Sequence, residues 1–262
     1  MIFIAYFLIL IAGIILGLLG SGGSILTVPI LVYMMGINSV SATAYSLFVV
    51  GVSALVGAHR FFKNGEINYN ITLYFAIPSL LGVFVTRKWI LPNLSESIHF
   101  FHLFSIQKDR FILVFFAIVM LIAALSMLFS WKLNFRSDND RKNNFILIAL
   151  DGIVVGLVTG FVGAGGGFLI IPALLLLTNI RMKEAVGTSL LIIAIKSIFG
   201  FTAELNNVID WNLLLTFTVF SIVGILIGSY FSMLLNGRVL KKSFGIFVLL
   251  ISKVILAKEI LF

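Results

Sequence analysis

The sequence predicts an all-α polytopic membrane protein made of two repeats of about five hydrophobic segments each, 8–10 spans in all. Three observations carry that expectation. Of 262 residues, 61% are apolar and only 11% charged, and the mean hydropathy is +1.18. A soluble fold of this length still needs a polar skin and cannot hide so much hydrocarbon, which excludes a soluble enzyme, a disordered chain or a nucleic-acid-binding module. The apolar residues also form long runs without the alternation of a barrel strand, so helices must satisfy their backbones in lipid. Finally, glycines and prolines of the first half recur at a fixed spacing in the second.

In chain order the apolar runs are about 2–20, 25–36, 40–58, 69–91 and 111–131, then 145–162, 168–179, 185–203, 212–235 and 243–262. The first has no basic residues before it and no small-residue cleavage site, so it reads as a span and not a removed signal peptide. Runs 25–36 and 168–179 are too short to cross comfortably alone. Each follows a glycine cluster and contains a proline, Pro29 or Pro172, so each reads as a half-helix or broken span. The softer stretch Pro92–Arg110 reads as interfacial. Residues 132–144 (KLNFRSDNDRKNN) form a polar linker between a first repeat, 1–131, and a second, 145–262. With no cysteine, disulfides, thiolate metal sites and thiol redox chemistry are excluded.

The repeat rests on residues that chance similarity between oily segments would not align. Gly17, Gly20, Gly22, Gly23, Leu26 and Pro29 match Gly160, Gly163, Gly165, Gly166, Leu169 and Pro172. At the same offset Gly13 meets Gly156, Ala42 meets Ala185, Ser46 meets Ser189, and Gly57 meets Gly200. After a one-residue slip, Asn68-Tyr69-Asn70 meets Asp210-Trp211-Asn212, and Gly82 meets Gly224. An odd number of segments per repeat inverts the second copy in the bilayer.

Loop charge is consistent with this. If all ten segments cross, Arg60, Lys63, Lys132, Arg136, Arg141, Lys142, Arg181, Lys183, Arg238, Lys241 and Lys242 gather on one side. Arg87, Lys88, Lys108, Arg110 and Lys258 gather on the other. The excess places the linker in the cytoplasm and both termini outside. If the short segments dip in and return, the basic residues divide almost evenly and orientation stays open. The net charge of +8 reflects these flanking residues.

The glycine clusters are the sharpest candidate site: Gly20, Ser21, Gly22, Gly23 and Ser24 in one repeat, and Gly163, Ala164, Gly165, Gly166 and Gly167 in the other. Glycine lets a helix unwind and a backbone approach a ligand. The short helix that follows aims unpaired N–H groups and a positive dipole end into the break. Two such breaks related by inverted symmetry suit a substrate anion at the midplane. Glycines at four-residue spacing, such as Gly152/Gly156/Gly160 and Gly224/Gly228, read instead as helix-packing positions. Neither cluster completes the dinucleotide-binding G-x-G-x-x-G, since Ile25 and Phe168 stand at the last position.

The duplicated glycine cluster followed by proline, the hydroxyl-bearing helix after each short segment, and Asp210-Trp211 opening the next span resemble the TauE/SafE family of sulfite exporter-like permeases. The resemblance covers nearly the whole chain. It implies secondary transport of a small sulfur-containing anion: sulfite, a sulfonate or a related organic acid. Asn68 replaces an acidic residue where the first repeat matches Asp210, and Ser24 stands where the second cluster has Gly167.

Among the hydroxyls Ser39, Ser41, Thr43, Tyr45, Ser46, Thr188, Ser189 and Ser197, the aligned pair Ser46 and Ser189 are candidates to donate to substrate oxygens, with interhelical bonding the competing role. Lys196 lies deep in LLIIAIKSIFG and is a candidate counter-charge. Glu204, eight residues on, is its candidate partner, and Asp151 reads as a helix N-terminal charge. His59 reads as interfacial, and His99 with His102 lacks the further ligands a metal site needs. No cofactor is expected.

The expected function is alternating access between the repeats in a multi-pass protein of the cell membrane, the bacterial inner membrane. Its partners are a small anion, the lipid bilayer and a coupling ion, proton or sodium. No nucleotide-hydrolysing motif is present, so the driving force is an ion or substrate gradient. An anion channel built from broken helices is the alternative. An enzyme is not expected, because no nucleophile–base pair or metal cluster lies at depth.

Overall fold

The computed structural model describes residues 2–20, 22–94, 97–100, 104–128, 145–162, 167–178, 180–202, 204 and 209–261. They form ten helices in the order the apolar runs predict: α1 (Ile2–Leu19), α2 (Gly22–Met35), α3 (Ser39–Lys63), α4 (Tyr69–Val85) and α5 (Lys108–Leu128), then α6 (Phe145–Val162), α7 (Gly167–Leu177), α8 (Met182–Thr202), α9 (Trp211–Leu234) and α10 (Gly237–Leu261). Five stretches are long and apolar enough to cross a membrane: Ser39–Lys63, Tyr69–Ile90, Arg110–Leu128, Met182–Thr202 and Trp211–Leu234. The chain is an all-α, multi-pass membrane protein. Its exposed surface says the same, since Leu73, Ile77 and Leu81 on α4 and Leu215, Val219 and Val223 on α9 face outward.

One segment departs from expectation. The interfacial stretch after α4 contains a small antiparallel hairpin, β1 (Ser97–Phe100) with β2 (Phe104–Gln107), Ser97 pairing with Gln107 and Phe100 with Phe104. Both strands alternate polar and apolar residues, the period of a strand. Ahead of it, α4 widens into one π-helical turn, Thr86–Ile90, where the Leu91 N–H donates to Thr86 O at 2.8 Å.

The main helix pairs are α1 with α9, α4 with α6, α3 with α8, and α5 with α10. Small residues make them close. A Cβ on Gly13 would strike the Ser221 carbonyl, and one on Gly156 would strike the Ser79 carbonyl. Gly224 lies against Leu10, Ile14 and Gly13, as Gly82 lies against Ile153, Leu157 and Gly156. Gly57 faces Ile225 and Leu190, as Gly200 faces Val83 and Leu47. Each of these glycine contacts thus has a counterpart with the two sets of five helices exchanged. The helix starts match too. Asn68 caps α4 by accepting from Ile71 N at 3.1 Å, and Asp210 caps α9 by accepting from Leu213 N at 3.1 Å. The N–H of Asn68 donates to Thr188 Oγ1, and that of Asp210 to Tyr45 OH.

These contacts divide the helix ends into two groups. Arg181 pairs with Glu66 at 3.8 Å and Lys183 donates to Met233 O at 2.6 Å, joining the starts of α4 and α8 to the end of α9. At the opposite end, Tyr33 OH donates to Glu259 Oε1 at 2.7 Å, and Arg110 lies 3.9 Å from Glu259, joining the ends of α2 and α10 to the start of α5. The short helix α2 therefore runs back to the end at which α1 begins.

Candidate substrate site

The first break lies between α1 and α2. Gly20 has φ +73, the left-handed conformation that a side chain disfavours, and a Cβ there would stand 2.8 Å from Val186 Cγ1 and 3.0 Å from Ser189 Oγ. Ser189 Oγ lies 3.0 Å from Gly20 O and 2.8 Å from Val186 O, accepting carbonyls for its one proton. The hydroxyl of one helix set thus grips the break of the other, and its proton is engaged by the backbone. Ser189 lies seven residues into α8, so the break sits about 10 Å along that helix from its start. Gly23 fits directly beneath Ala12 and Leu16, which makes it the residue that lets α2 fold back on α1. Gly22 and Ser24 belong to the first turn of α2, and Gly167, buried, to the first turn of α7. Ser21, Gly163, Ala164, Gly165 and Gly166 lie outside the described residues.

The most interior of the candidate spans are α3 and α8. They cross antiparallel: Gly51 against Ile198, Gly57 against Leu190, Gly200 against Leu47 and Gly187 against Phe61. That register sets Ser53 level with Lys196, and the two also correspond at the repeat offset. Lys196 is 1% exposed, and its Nζ donates to Thr159 Oγ1 of α6 at 3.2 Å. Thr159 Oγ1 in turn reaches Gly156 O at 3.3 Å. No carboxylate pairs with Lys196 among the described residues. The hydroxyls of Ser46, Ser53 and Ser197 are buried and unpartnered among the described residues. The centre of the bundle therefore holds a cation and several oxygen groups with hydrogen-bonding capacity to spare.

The expectations for Glu204, Arg87 and Asp151 need correction. Glu204 is not the partner of Lys196. It pairs with Arg87, Nη1 to Oε1 at 3.2 Å, because α8 presents Glu204 to the widened end of α4. Arg87 is not a loop charge, being only 3% exposed. Nothing in its sequence setting separated it from Lys88, which is exposed beside it. Asp151 does not cap a helix, since α6 starts at Phe145 and sets Asp151 two turns in, with Oδ2 buried and unpartnered among the described residues. Tyr45, Thr188 and Thr43 spend their hydroxyls on backbone groups. No group of three metal-ligating side chains occurs among the described residues.

An oily bundle that turns its charges and hydroxyls inward to a central helix pair is the architecture of a multi-pass solute transporter. The chain belongs to the sulfite exporter TauE/SafE family, whose model matches residues 5–255. It is similar to a probable membrane transporter protein of Xylella fastidiosa strain Temecula1, 30% identical over 249 residues, 92% of this chain and 89% of that one. It is also similar to the probable membrane transporter protein YjnA of Bacillus subtilis, 28% identical with 85% and 87% covered. A Methanocaldococcus jannaschii protein of the same description is 30% identical with 76% and 72% covered. No solved structure matches. The protein is a membrane transporter and not an enzyme.

Proposed function

We propose that the protein is a secondary transporter of a small sulfur-containing oxyanion, working by alternating access between residues 1–131 and 145–262. The observation that carries the reading is Lys196: fully buried, mid-bundle, and bonded to a hydroxyl with no carboxylate beside it among the described residues. A cation at that depth is costly unless a mobile anion completes it. Inverted repeats supply the motion, since the exchange of contacts between the two helix sets lets either break open in turn. Within the site we assign Lys196 as counter-charge and Ser46 as hydroxyl donor. The backbones of residues 20–24 and 163–167 complete the two ends, and Ser189 holds Gly20 in place. The family description, sulfite exporter, favours sulfite as cargo, and a sulfonate presents the same oxygens.

The test is saturable uptake of sulfite and methanesulfonate into proteoliposomes by the wild type and Lys196→Gln. The reading predicts uptake that falls at least roughly tenfold in the variant, the scale of one lost charge-assisted contact. Equal uptake by both would remove Lys196 from the site.

A further inference from the structure

Arg87 carries an unused hydrogen-bonding edge. Its Nη1 is engaged by Glu204, yet its Nε and Nη2 are both buried with no hydrogen-bond partner among the described residues. Those two atoms form a functional unit. The Nε–H and the neighbouring Nη2–H point the same way, at the spacing of two oxygens on one carboxylate, sulfonate or phosphate group. A buried charged donor left unpaired is far more costly than a satisfied one, so this edge calls for a partner.

The packing sets Arg87 on the turn of α4 that follows Val83 and Thr86, both of which lie against the interior helices. Val83 lies under Gly200, and Arg87 follows one turn later opposite Glu204. Thr86 packs on Gly160 and donates to Leu157 O, while the adjacent Thr159 receives Lys196. Lys196 thus reaches the last turn of α6 through Thr159, and Arg87 directly follows Thr86, which packs against the same turn. The positions that match these residues in the repeat are neutral: Ser53 for Lys196, Ser229 for Arg87 and Phe61 for Glu204.

We propose that Arg87 is a second substrate-binding residue, presenting its Nε–Nη2 edge to two oxygens of a monovalent oxyanion while Glu204 holds the guanidinium and cancels its charge. This rests on the transport reading above. It divides the labour within the site: Lys196 supplies net charge, and Arg87 supplies directed donors at no net charge. The cargo is then a singly charged group with two accessible oxygens, and a divalent oxyanion is disfavoured by Glu204.

Methanesulfonate uptake, with thiosulfate as competitor, is measured in proteoliposomes for the wild type, Arg87→Lys and Glu204→Gln. Arg87→Lys keeps the charge but loses the fork, so half-saturation is expected to rise roughly tenfold or more at unchanged charge preference. Glu204→Gln keeps an oxygen on Nη1 but removes the negative charge, so thiosulfate is expected to compete roughly tenfold better relative to methanesulfonate. A structural ion pair would lower protein yield and flux without moving that ratio. Unchanged half-saturation in Arg87→Lys overturns the proposal. If Arg87→Lys does not fold, an unchanged competition ratio in Glu204→Gln does so. Wild-type liposomes that take up neither anion defeat the transport reading itself, and this inference with it.

Discussion

Lys196 and Asp210 show how differently two charged residues behave in one membrane protein. Lys196 is buried without a carboxylate partner among the described residues, and for that reason we propose that it serves a ligand and not the fold. Asp210 is exposed and accepts from Leu213 N, the work of a helix cap. Asn68 does the same at the matching position with no negative charge. Asp210→Asn is therefore expected to leave transport and thermal stability near wild type, whereas Asp210→Ala lowers stability by about 1 kcal/mol, read by thermal unfolding in detergent. A transport loss in Asp210→Asn with the fold intact would give the carboxylate a direct role. Lys196 was legible in the sequence because a lysine inside an apolar run has little else to do. Arg87 was not, because it stands at the edge of a span beside Lys88 and its partner lies 117 residues away.

Among the elements, the glycines separate into two kinds. Gly13 and Gly156 sit where helices touch backbone to backbone, so even one methyl group there forces the pair apart. Gly36, with φ +68 and open space around it, pays only for its conformation. Gly13→Ala and Gly156→Ala are each expected to destabilise by about 1–3 kcal/mol and by similar amounts, because their surroundings match. Gly36→Ala should cost roughly 1 kcal/mol. Thermal denaturation of the three variants checks this, and a strongly unequal effect of the first two would contradict equivalent packing. The order and number of helices were readable from apolar runs, since lipid leaves the backbone few alternatives. The 97–107 hairpin was less so, as four-residue strands give too short an alternation to stand out from a polar loop.

Across the whole molecule the two helix sets match in packing and differ in charge. Backbone contacts at Gly13 and Gly156, at Gly82 and Gly224, and at the two caps exchange in pairs, while Lys196, Arg87 and Glu204 have no charged counterpart at the matching positions. Glycine and cap positions are fixed by close packing and survive as a readable repeat. The polar groups of a single site need appear only once. The helix ends form two groups, with Arg181 and Lys183 at the end shared by α4, α8 and α9. The excess of basic loop residues at that end predicts that it faces the cytoplasm. A cysteine introduced at Asn139 should resist an impermeant thiol reagent in intact cells and react after permeabilisation, in a chain that has no cysteine of its own. Labelling in intact cells would reverse the orientation.

Counterflow distinguishes a carrier, with one anion site reached from either side, from a pore. Proteoliposomes loaded with unlabelled methanesulfonate are diluted into labelled anion at trace concentration. Transient accumulation of label above equilibrium is expected in the wild type, and none in Lys196→Gln. Rapid label equilibration without overshoot, accompanied by single-channel currents in planar bilayers, would contradict it and make the protein a channel.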